Sequence, residues 1–256
     1  MEAGELVVVV AAVLLGCLLQ RTSGMGTGLV VSPTLVLAIG PVTGVVLTNI
    51  TTMVSALLMT IAVRADIDRG RLVRIAPVVV LGSVPAALVV RAVEPGWLEV
   101  IIGAVLLLAL GGSGLVRDMP DLPATPAGLF AGVAGGFLNT AVGVAAPAML
   151  VYARATRWAQ RSFAATLQPI FLTMGSMSLL SKWALGATGP GGLPSWPVIA
   201  VVVGTVPVGV LLGGRVARHV TATAARRTAV VVVSIGAAGT LVRGVVQVLQ
   251  SGAGGA

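Results

Sequence analysis

Acidic residues are scarce in this chain. Eight aspartates and glutamates stand against 16 lysines and arginines in 256 residues, and only 9% of the residues are charged. No acidic residue follows Asp121, and we expect all eight to lie outside the apolar spans. A relay of carboxylates that carries protons through a membrane is therefore not predicted.

Cysteine and histidine occur once each, as Cys17 and His219. A single cysteine excludes a disulfide framework and a cysteine-based metal site. We interpret Cys17 as a small packing residue of an apolar segment. Because no combination of Ser, His or Cys suggests hydrolysis and no nucleotide-binding loop occurs, the sequence predicts no enzyme, no cofactor and no metal.

Apolar residues are abundant instead. They make up 57% of the chain, and the mean hydropathy is +1.05. Several runs of about twenty residues lack charge, which is typical of membrane helices. The sequence thus predicts an all-α polytopic protein of the cell membrane. The net charge of +8 comes from arginines in short loops, where they indicate topology rather than contact with nucleic acid.

The first apolar segment, residues 6–39, is interrupted by polar residues and glycines. As one straight helix it would extend about 51 Å, against a hydrocarbon core of about 30 Å. Glycines weaken a helix and Pro33 lacks a backbone donor. We therefore expect a helix, a break at Ser23–Gly28 and a second helix. Such a break at membrane depth predicts a functional site.

A second interrupted segment, residues 126–153, has its break around Asn139–Gly143 and Pro147. An internal repeat relates it to the first, because Gly16–Gly24 matches Gly135–Gly143 and three later matches follow in the same order. The chain is thus divided into a first transmembrane repeat at 1–116, a linker at 117–125 and a second repeat at 126–256. The remaining spans are predicted at 43–63, 75–92, 98–115, 163–184, 195–213 and 228–249.

The basic loops suggest how the two halves are oriented. The loop 64–74 is basic in the first half, whereas 154–161 and 215–227 are basic in the second. If all three are cytoplasmic, the halves form an inverted repeat, each with a broken or re-entrant helix pair plus three transmembrane helices. Eight simple spans in parallel halves remain the alternative, which would leave two basic loops on the outer face.

These paired breaks resemble the TauE/SafE family of sulfite exporters and anion permeases. The segments that carry the resemblance are Thr22-Ser-Gly-Met-Gly-Thr-Gly-Leu-Val-Val-Ser-Pro33 and Gly132-Val-Ala-Gly-Gly-Phe-Leu-Asn-Thr-Ala-Val-Gly-Val-Ala-Ala-Pro147. Arg161-Ser-Phe-Ala-Ala-Thr-Leu167 adds to it. The second break departs from the family by having Val144-Ala-Ala before its proline. The resemblance implies a plasma-membrane permease that moves sulfite, organosulfonates or related small anions, with export as the expected direction.

The residues themselves also suit an anion. A helix that starts after each break, near Gly26 and Gly143, has free N–H groups and the positive end of its dipole there. We expect two such ends to meet near the midplane and form one site from both halves. The predicted substrate-binding residues are Gln20, Arg21, Thr22, Ser23, Gly24, Gly26, Asn49, Asn139, Thr140, Gly143 and Gln168.

Three basic residues lie within or near apolar runs. The guanidinium of Arg21 suits a pair of sulfite or sulfonate oxygens, or it reaches an interface or caps its helix. Lys182 and Arg243 are predicted to reach the interface from span ends. The competing hypothesis for the whole chain is a membrane partner subunit or assembly factor without transport activity. The oligomeric state is left open.

Overall fold

The computed structural model describes residues 3–23, 27–111, 122–189, 191–216 and 219–253. In these ranges the chain forms helices without strands, which confirms the prediction of an all-α protein. The helices are α1 (Ala3–Ser23), α2 (Thr27–Ile39), α3 (Pro41–Ala62), α4 (Arg69–Ile75), α5 (Val79–Ala92), α6 (Pro95–Gly111), α7 (Ala124–Val142), α8 (Ala146–Ala155), α9 (Gln160–Ala184), α10 (Trp196–Val216) and α11 (Ala222–Ala253).

Five helical stretches of the described chain are long and apolar enough to cross a membrane. They are Pro41–Ala62, Arg69–Ala92, Gln160–Ala184, Trp196–Val216 and Thr223–Gly252. Shorter apolar helices occupy Gly4–Gln20, Thr27–Ile39 and Pro95–Gly111. Large apolar side chains such as Phe130, Leu108 and Trp196 are exposed on the outside of the bundle. An apolar exterior suits lipid rather than water.

The first broken segment is a pair of helices that pack side by side. α1 ends at Ser23 and α2 begins at Thr27. Gly16 of α1 lies against the side chains of Thr27 and Val31 of α2, so the chain turns back on itself. Pro33 lies inside α2 and does not end it. Residues 24–26, including the predicted site residues Gly24 and Gly26, lie outside the described chain.

The second broken segment is a hairpin whose two ends lie together. α7 ends at Val142 and is followed by Gly143, which adopts a left-handed conformation with φ of 79° and donates its N–H to Asn139 O over 2.9 Å. Glycine suits this turn because it has no Cβ. At the other end of the hairpin, Leu122 N donates to Ala155 O over 2.8 Å. The chain therefore enters and leaves this hairpin at one end of the bundle.

That end of the bundle also holds two basic loops. Arg161 forms an ion pair of 3.0 Å with Asp66, and Arg71 donates to Thr156 Oγ1 over 2.7 Å. We call residues 64–74 and 154–161 the basic end. These contacts join a loop of the first predicted repeat to a loop of the second.

The opposite end is formed by residues 40–43, 91–95, 185–189 and 191–195, which we call the glycine-rich end. Here Arg91 donates to Leu185 O over 3.3 Å, and Val42 lies next to Gly189. An open pocket of about 430 Å³ lies at this end, between the start of α3 and the loop that joins α9 to α10.

A buried ion pair corrects two sequence-based expectations. Glu99 lies in α6 and is only 1% exposed, although all acidic residues were expected outside the apolar spans. Its carboxylate pairs with two nitrogens of Arg243. Arg243 also donates to Leu37 O over 2.6 Å and to Val36 O over 2.8 Å. The side chain of Arg243 therefore does not extend to the membrane interface, as was expected. Its guanidinium binds the carbonyl oxygens of the last turns of α2 instead.

Candidate functional site

The two broken segments meet inside the bundle. Gly28, in the first turn of α2, lies so close to the carbonyl oxygen of Gly143 that a side chain would overlap it. Four residues later, Ser32 Oγ donates to Val142 O over 2.5 Å. The start of α2 is therefore packed directly on the turn that follows α7.

A small cavity lies at this junction. Its lining includes residues from the starts of both α2 and α8, so the first N–H groups of two helices are near it. The cavity volume is about 10 Å³, which is room for about one water molecule. An anion of several heavy atoms therefore fits only if the helix starts move apart. The lining residues are Gly28, Leu29, Thr52, Asn139, Gly143, Val144, Ala145, Ala146 and Phe171.

Asn139 connects the cavity to α3 and α9. Its Nδ2 donates to Asn49 Oδ1 over 3.1 Å. Asn49 in turn donates to Ser178 Oγ over 2.7 Å, and all three side chains are buried. Buried amides bonded in this way fix the tip of α7 relative to two neighbouring helices.

Gln20 forms a second buried amide cluster, apart from the cavity lining. Its Oε1 accepts hydrogen bonds from Ser55 Oγ, at 2.6 Å, and from Thr27 Oγ1. Its Nε2 faces Gln168 Oε1 at 3.4 Å. The cluster thus ties the end of α1 to α2, α3 and α9.

The two amide contacts run reciprocally between the two halves of the chain. Gln20 of the first half bonds Gln168 of the second, whereas Asn139 of the second half bonds Asn49 of the first. Each broken segment is therefore linked to the helix that follows the other broken segment.

Three buried polar side-chain atoms in the described chain have no hydrogen-bond partner, and each can donate. They are Thr52 Oγ1, Thr140 Oγ1 and Lys182 Nζ. Thr52 faces the cavity. Leaving a buried polar group unpaired costs about 1–3 kcal/mol, and more if it is charged. Because no carboxylate lines this cavity, the arrangement favours a ligand that only accepts hydrogen bonds.

The structure places the predicted site residues in three groups. Asn139 and Gly143 line the cavity, and Asn49 and Thr140 are buried beside it on α3 and α7. Gln20 and Gln168 form the separate amide cluster. Arg21, Thr22 and Ser23 lie in the last turn of α1, and their side chains are outside the described part of the chain.

Two residues near the site were missed or undervalued by the sequence reading. Thr52 is not among the predicted substrate-binding residues, although it lines the cavity and its hydroxyl has no partner in the described part of the chain. Lys182 was expected to reach the interface, yet it is fully buried and 0% exposed. A signal was available for Lys182, because it is the only lysine of the chain and stands in an apolar run.

The apolar helices define a multi-pass membrane protein in which two interrupted helical segments meet inside the bundle. The family model for the sulfite exporter TauE/SafE matches residues 8–240. The chain therefore belongs to the TauE/SafE family, which implies a membrane permease of the sulfite or anion exporter type. No curated protein and no solved structure matches the chain.

Proposed function

We propose that the chain exports a small sulfur-containing anion, sulfite or an organosulfonate, across the plasma membrane. The observation that carries the proposal is the cavity where α2 and α8 both begin, lined by Thr52 and Asn139. Helix starts concentrate N–H donors and positive dipole ends, which bind anions. Thr52 adds a donor that has no partner within the protein.

The two halves, in this proposal, are an inverted repeat. Three observations support it. The α7–α8 hairpin opens at the basic end, whereas Ile39 at the end of α2 lines the pocket at the glycine-rich end. The basic loops 64–74 and 154–161 contact each other at one end of the bundle. The positive-inside rule would place that end in the cytoplasm. The exchanged amide pairs suit a two-fold relation between the halves.

Transport then requires the start of α2 and the turn that follows α7, which we call the hairpin tips, to move apart. They would open first towards one end of the bundle and then towards the other. With the tips packed, the cavity holds about one water and is closed to the substrate. Opening from the basic end would admit the anion from the cytoplasm, and opening from the glycine-rich end would release it. This is alternating access around a fixed site. Because one elementary charge gains about 2.3 kcal/mol per 100 mV, the membrane potential alone can drive the export of an anion.

Sulfite efflux from proteoliposomes tests the proposal. We expect purified wild-type protein to release trapped sulfite, and Thr52→Val to slow release about tenfold because one donor to the anion is lost. The stability of Thr52→Val should match wild type, since this hydroxyl has no partner to lose. Thr51→Val is the matched control, because Thr51 is equally buried but bonds to Leu47 O of its own helix.

The competing function, a partner subunit without transport, gives a different result. Wild-type protein would then release no sulfite or sulfonate, and Thr52→Val would change neither flux nor the thermal response to anions. If wild type and Thr52→Val released sulfite at the same rate, the transport function would be supported, but this cavity would not be the binding site.

A further inference from the structure

Lys182 is a buried cation outside the lining of the small cavity. It lies in α9, is 0% exposed, and its Nζ has no hydrogen-bond partner among the described residues. No ion pair of the described chain includes it. Arg243, in contrast, is about one-third exposed and is neutralised by the buried Glu99. A buried charge without a partner is expensive, and in a membrane helix it points to function.

Lys182 continues the face of α9 that contacts the site. The residues Gln168, Phe171, Gly175, Ser178 and Lys182 follow each other at spacings of three and four, so they share one side of the helix. Gln168 bonds to Gln20, Phe171 lines the cavity, and Ser178 bonds to Asn49. Gly175 lies against the backbone of Asn49. Lys182 is one helical turn beyond Ser178 on this side.

The position of Lys182 along α9 is between the cavity and the open pocket. α9 ends at Ala184, and Lys182 O accepts a hydrogen bond from Ala187 N of the following loop. Thr188, Gly189 and Gly191 of this loop line the pocket of about 430 Å³ at the glycine-rich end. An anion that moves between this pocket and the helix starts therefore passes the level of Lys182.

We propose that Lys182 binds the transported anion on the glycine-rich side of the cavity, as the fixed positive charge of the pathway. The ligand class is a small oxyanion, since an ammonium offers three donors and no acceptor. This inference rests on the proposed function. It adds a full positive charge to the N–H donors that the two helix starts provide. The ammonium and the anion would neutralise each other where neither has another partner.

Thermal stabilisation of the purified chain by sulfite tests the proposal. We expect Lys182→Met to bind sulfite about tenfold more weakly or worse, because hydrogen bonds to a charged group are the stronger ones. Lys182→Arg keeps the charge and should retain most of the affinity. Arg91→Met is the matched control, since it removes an exposed positive charge at the same end and should change affinity less than about twofold.

The outcomes separate the two claims. If sulfite and organosulfonates fail to stabilise wild-type protein, the proposed function fails. If they stabilise wild type and Lys182→Met equally, only the role of Lys182 is overturned. If Arg91→Met and Lys182→Met lost affinity for sulfite equally, the role of Lys182 would also be overturned, because the loss would then reflect the overall charge of the protein.

A second measurement needs no variant, in case Lys182→Met does not fold. Since Lys182 is the only lysine of the chain and is buried in this state, an amine-reactive acetylating ester modifies this one side chain, apart from the N-terminus, only when the pathway opens and exposes it. We expect saturating ethanesulfonate to slow acetylation of Lys182, followed by peptide mass, by about tenfold. An unchanged rate in the presence of an anion that stabilises the protein would contradict the proposal.

Discussion

Asn139 at the tip of α7 donates a hydrogen bond of 3.1 Å to Asn49 in the middle of α3, so an amide from one half of the chain holds an amide from the other. The bond lies at the edge of the cavity, which Asn139 lines. If the hairpin tip moves during transport, this bond is among the contacts that must break. Its strength therefore contributes both to stability and to the barrier to opening.

A double-mutant cycle of Asn139→Ala and Asn49→Ala measures this bond. We expect each single variant to lower the free energy of unfolding, and the double variant to lose less than the sum. The coupling should be about 0.6–1.7 kcal/mol, the range of such bonds between membrane helices. Thermal melts in detergent provide the measurement. Strictly additive losses would show that the two amides do not interact in the folded protein.

Because Gly28 packs directly on Gly143, we expect that no side chain can be added at position 28 without disturbing this contact. Gly28→Ala would place a methyl group on the carbonyl oxygen of Gly143, so we expect a loss of about 1–3 kcal/mol of stability or a displaced tip. Sulfite efflux should fall with it. Gly204→Ala in α10 is the control, because nothing lies within 4 Å of its added atom. Equal behaviour of the two variants would refute close packing of the tips.

The ion pair of Glu99 and Arg243 predicts a strong asymmetry between buried and exposed charges. Arg243→Met leaves Glu99 buried without its partner and frees two carbonyls of α2, so we expect a loss of about 3–5 kcal/mol. Arg161→Met breaks an ion pair whose arginine is 84% exposed and should cost less than about 1 kcal/mol. Melting temperatures of both variants check this. Similar small shifts would mean that Arg243 does not anchor α2.

Much of the helical fold was predictable from the sequence, because length and composition decide where a chain can cross a membrane. The break predicted around Asn139–Gly143 was located to within a few residues, since glycine at the left-handed turn and Pro147 after it are both local signals, but α7 continues through Val142. The start of the second helix was placed near Gly143, but α8 begins at Ala146. Local sequence does not fix such boundaries closely.

The partners of buried charges were not predictable, because they depend on contacts between distant helices. Glu99 stands near a helix start and was expected outside the apolar spans, yet it is buried in α6 and pairs with Arg243. Lys182 stands two residues before the end of α9, where a lysine in a straight isolated helix would reach the interface. Only packing against other helices buries it. The exchanged amide pairs likewise depend on how the two halves dock.

Export driven by the membrane potential alone predicts transport that follows voltage. With equal sulfite on both sides of a proteoliposome, an imposed potential of 100 mV should drive net flux towards the positive side, since it is worth about 2.3 kcal/mol per charge. Reversal of the potential should reverse the flux. Potassium gradients with valinomycin set the voltage. Flux that ignored voltage and followed a proton or sodium gradient would contradict a uniport mechanism.

The most direct measurement locates the anion itself. Selenite has the shape and charge of sulfite and scatters anomalously, so crystals grown with selenite report its position once selenite is shown to compete with sulfite efflux. If the proposed site is correct, an anomalous peak will lie between the starts of α2 and α8, within hydrogen-bond reach of Thr52. A peak outside the bundle, or at a site that includes neither helix start, would contradict it.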